Sequence, residues 1–278
     1  MRQTKGLWLS LVLLLTATMN TLAQDSVTNS LSMQYGVSHL QRQDLNLSPF
    51  IHTGISPVNV LLGWDRSANL EQRLTVRFNM INTKVEYPFT YSSPYDDDEH
   101  TTLPHLFLFL DVNYRLGKVL KESGPWTLGA GGQWRDRLQI AYYQFALYGQ
   151  TSYYFTFGLD AWAFARYQID EKQGLEAELT FPLASWVCRS PYLSLDDQYI
   201  YNNYDHSGFK ALYNYISQGQ LESWGSSQIL DLEADYHYML NEKWELAASW
   251  LFSMNLNQDP RPFTSFENGL YFGAVYQF

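Results

Sequence analysis

Six histidines are the natural place to look for chemistry in this chain. A histidine that activates a serine from the same strand needs that serine two positions on, because alternate strand residues share a face. None of His39, His52, His100, His105, His206 or His237 has one, and the adjacent pair His206-Ser207 would point apart on a strand. Asp235-x-His237 does put a carboxylate and an imidazole on one face, a spacing able to activate water, although an ion pair is the simpler reading. The run Asp96-Asp97-Asp98-Glu99-His100 is rich in oxygen ligands for Ca²⁺, but it lacks the spacing and glycine of an EF-hand and reads as a solvated loop tip. Cys188 is the single cysteine, so no internal disulfide is available. No catalytic set, metal site or cofactor motif is expected.

Most ionisable residues fall into a different pattern, recurring at every second position opposite an apolar row. From Leu106 to Leu116 the even positions are Leu106, Leu108, Leu110, Val112, Tyr114 and Leu116, while Asp111 and Arg115 lie among the odd ones. From Leu230 to Leu240 the row Leu230, Leu232, Ala234, Tyr236, Tyr238 and Leu240 alternates with Asp231, Glu233, Asp235 and His237. Arg73 and Arg77, Asp160 and Arg166, Glu176 and Glu178, and Glu245 stand in the same way opposite apolar rows. A period of two is the signature of strands, and these runs reach the roughly 9–11 residues that a tilted strand needs to cross a bilayer.

The first 23 residues read as a secretory leader: Arg2 and Lys5, an apolar Leu7–Leu15 core, and Thr21-Leu22-Ala23 before a cleavage point near Ala23–Gln24. Residues 24–278 then form one domain. No cysteine stands just after the leader core, which argues against lipid anchoring. The formal charge is −10, and loss of Arg2 and Lys5 makes it two units more negative, which disfavours nucleic acid as a partner. Aromatics make up 17% of residues, enough to build interface girdles around a membrane barrel.

Connections alternate in length. Short ones fall near Ser67–Asn69, Val119–Gly124, Asp170–Gln173 and Asn241–Lys243. Long ones span about Arg42–His52, Lys84–Pro104, Asp136–Gly149, Ser190–Gly225 and Asn257–Ser265. The count is about ten strands, with eight or twelve also compatible, because Leu31–Leu40 and Gly54–Trp64 alternate weakly and Asp136–Gly149 could hide strand length.

The last thirteen residues are the most specific signal. In Phe266–Phe278, Leu270, Phe272, Ala274, Tyr276 and Phe278 alternate to a terminal aromatic, and Gly273 lies five residues before the end. The pattern resembles the β-signal of Gram-negative outer-membrane barrel proteins, which the assembly machinery reads. The resemblance is to the class as a whole. With the periodicity it implies an all-β fold, a transmembrane antiparallel up-and-down β-barrel in the outer membrane after export. Its partners are then outer-membrane lipid and, during insertion, the barrel-assembly machinery. Among barrel enzymes, omptin proteases use an Asp-x-His pair at the extracellular rim, whereas Asp235 and His237 precede a short turn at the other end.

With the apolar rows facing lipid, Arg73, Arg77, Arg115, Arg166, Asp111, Asp160, Glu176, Glu178, Asp231, Glu233, Asp235 and Glu245 face the lumen, beside Phe107, Phe109, Trp162, Phe164 and Tyr271. Buried charges must pair, so a filled lumen held by ion-pair networks is expected, with a small cation-preferring channel as the alternative. Tyr192, Tyr199, Tyr201, Tyr204, Tyr213, Tyr215 and Trp224 crowd one long loop, which either packs over the barrel mouth or presents a binding surface. A structural, binding or accessory role in an envelope complex follows, ahead of a passive channel and of a surface hydrolase.

Overall fold

The computed structural model describes residues 27–85, 90–92, 95, 98–101, 104–145, 148–190 and 208–278. The leader, Asp96 and Asp97, His206 and Ser207, and Tyr192, Tyr199, Tyr201 and Tyr204 lie outside the described residues. In chain order the elements are β1 (Thr28–Asp44), β2 (Ser48–Ile55), β3 (Val58–Ser67), β4 (Glu71–Val85), β5 (Thr90–Ser92), β6 (Glu99–Thr101), β7 (His105–Ser123) and β8 (Trp126–Phe145). They continue with β9 (Tyr148–Gln168), β10 (Gln173–Arg189), α1 (Gly208–Ser217), β11 (Gln220–Glu222), β12 (Ser227–Met239), β13 (Trp244–Asn257) and β14 (Phe263–Gln277).

Each long strand pairs antiparallel with its neighbours in sequence, and β1 returns to β14 from Ser30↔Gln277 to Asp44↔Phe263. The sheet is therefore closed. β2 and β3 form one wall strand interrupted at Ser56-Pro57, since both pair with β1 and both with β4. Proline has no N–H to give to the ladder. The Ser56 N–H instead donates to the Ser38 carbonyl and its hydroxyl to Met80 O at 3.0 Å, which holds the kink in place. Counted this way the barrel has ten strands.

Alternation sets the two faces. On β1, Leu31, Met33, Tyr35 and Val37 are half exposed outward, whereas Gln34, Ser38 and Arg42 are buried inside. Above Val37 the outward residues become His39 and Gln41, so the strands rise clear of the hydrocarbon on the long-loop side. At the other end Trp126 packs on Tyr167 at 4.7 Å and Trp244 on Tyr276 at 5.0 Å, an aromatic rim at the short turns and termini. In outer-membrane barrels this end faces the periplasm.

Two expected loops are strand. Arg42–His52 is a tight hairpin in which β1 runs to Asp44 and β2 starts at Ser48, and the Asp44 carboxylate accepts the Asn46 N–H at 3.1 Å across the turn. Asp136–Gly149 lies almost wholly in β8 and β9, paired as far as Phe145↔Tyr148. Both stretches carry polar residues on the outward face as well as the inward one, which hides the period of two. The Ser190–Gly225 connection contains α1 and β11, and Lys84–Pro104 contains the β5–β6 hairpin.

Phe155, on the outward face of β9, is covered by protein. Together with Tyr153, Trp186 and Cys188 it forms an outward apolar patch on β9 and β10 against which Tyr215 of α1 packs, its ring 3.8 Å from that of Tyr153. The Trp186 indole N–H donates to Ile216 O at 2.8 Å. The described part of the long loop thus lies down the outside of the wall rather than over the mouth. β11 extends the sheet along β10, Trp186↔Leu221, in line with β12.

Candidate functional site: an ion-paired lumen with a periplasmic vestibule

Arginines projecting from β4, β7, β8 and β9 meet carboxylates from the facing strands in stacked tiers. In the lowest tier Arg166 reaches Glu71 at 3.0 Å and Glu176 at 3.2 Å, and Arg73 holds Asp65, Glu176 (3.2 Å) and Glu178. One level up, Arg115 spans the lumen. It donates to Glu178, to Glu233 at 2.9 Å and to Gln133 at 2.6 Å, at only 1% exposure. The Trp162 indole points at the same Glu178.

The next tier is built around Arg77 and Arg137. Arg77 pairs with Asp111 and, at 3.1 Å, with Glu267. Arg137 bridges Asp111 (3.1 Å) to Asp231 (3.0 Å) and donates to Ser253 at 3.1 Å. Asn79 donates to Glu267 at 2.6 Å and to Ser38 at 2.8 Å. Beside them Arg135 donates to Asp160 at 2.7 Å and to Ser185 at 3.1 Å.

At the extracellular end a mixed cluster closes the stack. Arg189 holds Asp44 at 2.7 Å, Asn257 at 2.9 Å and the Asp259 carbonyl at 2.6 Å. Arg42 donates to Gln139 at 2.9 Å and lies between the rings of Phe107 and Phe263, 5.1 and 4.7 Å from their centroids. Phe263 stacks on Tyr154 at 4.6 Å. Just above, Glu222 of β11 accepts from Asn257; burial first, and the nearby Asp259 charge second, push its carboxyl up to about 7.

Every one of the twelve inward charges named from alternation lies on the lumen side, but their neighbourhoods differ. Arg73, Arg115, Arg166, Glu176, Glu178 and Glu233 join in one network, Arg77, Asp111 and Asp231 in a second one through Arg137, Asp160 pairs with Arg135, and Glu245 pairs with His237. Asp235 sits apart, with no ion pair among the described residues. Alternation in the expected strands missed Arg42, Asp44, Arg135, Arg137 and Arg189, most of which fall in the stretches read as loop. The row Arg135, Arg137, Gln139 opposite Trp134, Leu138 and Ile140 was the available signal, broken by the outward Asp136, which takes the Trp134 indole N–H at 2.9 Å. Tyr213 is exposed, Tyr215 is pressed to the wall, and Trp224 stacks on Phe181 at 4.3 Å.

Below the lowest tier the lumen widens into a cavity of about 400 Å³ bounded by the β1 start, the periplasmic turns and the lower ends of β12 and β13. Above it a space of about 20 Å³, room for a water, lies amid the charges between Arg77, Arg137 and Asp231. Among the described residues the vestibule is roofed by these ion-paired side chains.

A closed ring of ten antiparallel strands with an apolar outer belt, a charged interior and a terminal aromatic strand is an integral outer-membrane β-barrel, and the chain resides in that membrane. No family model and no curated protein sequence matches the chain. Solved structures share the architecture. The outer-membrane protease OmpT from Escherichia coli is 7% identical over 93% of this chain and 99% of that one, with a TM-score of 0.54. An outer-membrane channel from Pseudomonas putida F1 is 11% identical, over 94% and 98% of the two chains, at 0.41. Neisserial surface protein A is 10% identical, over 89% and 97%, at 0.35. At 7% identity the likeness to the protease is one of fold alone.

Proposed function

We propose that the protein is a closed barrel that works through its extracellular surface, as a binding or accessory component of the envelope, and not by conducting solutes. The observation that carries this reading is Arg115, which reaches both Glu178 and Glu233 across the lumen and is itself 1% exposed. A path for hydrated ions would have to break that bridge and the Arg77–Asp111–Arg137–Asp231 chain above it. An unpaired buried charge costs several kcal/mol, so such opening is disfavoured.

Function then falls to the parts outside the plug: the strand extensions, the β5–β6 hairpin and the α1–β11 strap, on which Tyr213 and Leu221 are 65% and 72% exposed. Exposed aromatic and apolar anchors are the usual centres of protein recognition. Loops carried on a rigid barrel are also where binding concentrates. Similarity to a protease does not by itself extend catalysis to this chain, because Asp235 and His237 stand at the periplasmic end.

The test is affinity capture from outer membranes in mild detergent with the intact protein and with a variant lacking 191–226. Retention of an envelope protein by the intact barrel and its loss from the variant supports the reading. Equal capture by both, or capture of nothing, contradicts it.

A further inference from the structure

The periplasmic vestibule has no role in a barrel that acts through its outer face, yet its lining is far from neutral. Asp65, Glu71, Glu176, Glu233, Asp235 and Glu245 contribute six carboxylates, against the permanent cations Arg73, Arg166 and Lys172 and the imidazole of His237. Arg73 and Arg166 are taken up by Asp65, Glu71 and Glu176, Glu233 by Arg115, and Glu245 by His237. Asp235 is left facing the cavity with no ion-pair partner among the described residues.

A second feature points the same way. Gln34 on β1, lining the same cavity, is 6% exposed, and its Oε1 accepts no hydrogen bond. A buried acceptor left unmatched is costly, and such groups are normally satisfied by protein, water or ligand. The cavity therefore offers acceptors from two walls, a carboxylate from β12 and an amide oxygen from β1, with a surplus of negative charge between them. Among the described residues no three His, Cys, Asp or Glu side chains are grouped to hold a metal ion, so the acceptors suit a donor spread over a larger body. The volume lies in the range of small-molecule sites.

We infer that the vestibule binds a primary ammonium group presented from the periplasm on a short aliphatic chain. An ammonium carries three donors and no acceptor, which complements Asp235 and the Gln34 amide oxygen, and its alkyl stem can lie along Leu61, Met239 and Val275 of the same lining. The chemistry is shared by a free diamine and by a lysine side chain of a periplasmic protein.

Isothermal titration of the full-length protein in detergent with 1,5-diaminopentane tests the site, with N-acetyl-lysine amide as the second arm and 1,5-pentanediol as the uncharged control. Saturable binding of an amine, none of the diol, and at least tenfold weaker binding by both Asp235→Asn and Gln34→Leu is the expected result. The amine that binds tighter identifies the source, a small solute or a protein side chain. Absence of saturable heat with both amines overturns the proposal. So does binding unchanged in whichever of the two variants still migrates as a folded, heat-modifiable barrel, and the two substitutions lie on different strands so that one folding failure leaves the other informative.

Discussion

Arg115 concentrates the energetics of the lumen in one side chain. It has two carboxylates and the Gln133 amide oxygen as acceptors, so replacing it strands Glu233 beneath the vestibule without its arginine and leaves Glu178 with Arg73 alone. Arg115→Met is expected to cost roughly 3–5 kcal/mol, the usual consequence of breaking one side of a buried pair, read by urea titration of folding into lipid vesicles. If the loss comes from the stranded charges, adding Glu178→Gln and Glu233→Gln restores much of it; if packing alone matters, the triple variant is worse than the single. The inward direction of Arg115 is visible in the sequence, because Leu106–Leu116 alternates without a break. Its partners are not, because alternation places a residue on a face but says nothing of which strand lies across the lumen. Tiers such as Arg73 with Glu176 join residues more than one hundred positions apart.

At the scale of elements, the strap formed by α1 and β11 is the part whose attachment can be tuned. Gly219 fits against the wall so closely that an added Cβ would lie 2.3 Å from the Trp186 indole nitrogen and 2.6 Å from the Cys188 sulfur. Gly219→Val should therefore lift α1 from Tyr153 and Trp186 without opening the barrel, seen as rapid proteolysis within 208–226 while the strands stay protected. Attachment should also respond to pH through Glu222. Its carboxyl, ordinarily near 4.5, rises to about 7 when β11 is docked, so the docked state keeps a proton that the undocked state releases between those values. Docking is thus tightest below that window and weakens as pH rises through it. Limited proteolysis of the strap should be slower at pH 5 than at pH 8, and Glu222→Gln should flatten the difference.

Elements also explain what the sequence hides. The closing strand is legible because Leu270, Phe272, Ala274 and Tyr276 meet lipid while Tyr271 and Val275 fill the interior. In β1 and β2 above Val37 and in the upper parts of β8 and β9, the outward positions leave the hydrocarbon and become polar, or slip beneath α1. The period of two then no longer separates the faces, and turn-forming residues such as Asn46 and Pro49 suggest a loop where the strands continue. The helix is invisible to strand periodicity altogether, and the Tyr-rich composition of its connection indicates burial without saying on which side of the wall.

For the molecule as a whole, the ten-stranded ring and the charged interior together favour the proposed closed scaffold over a conduit. Barrels of this strand number have interiors narrow enough for side chains to fill, and here arginine–carboxylate tiers run from the vestibule roof to the Arg42–Arg189 cluster at the extracellular end. The most direct test is electrical: the purified full-length protein reconstituted in a planar bilayer at 1 M KCl, beside Arg115→Ala and Arg137→Ala. A closed lumen predicts no steady conductance from the unaltered protein and stepwise currents only when the arginine bridges are removed. Stable ohmic channels from the unaltered protein, unchanged by either substitution, would contradict it.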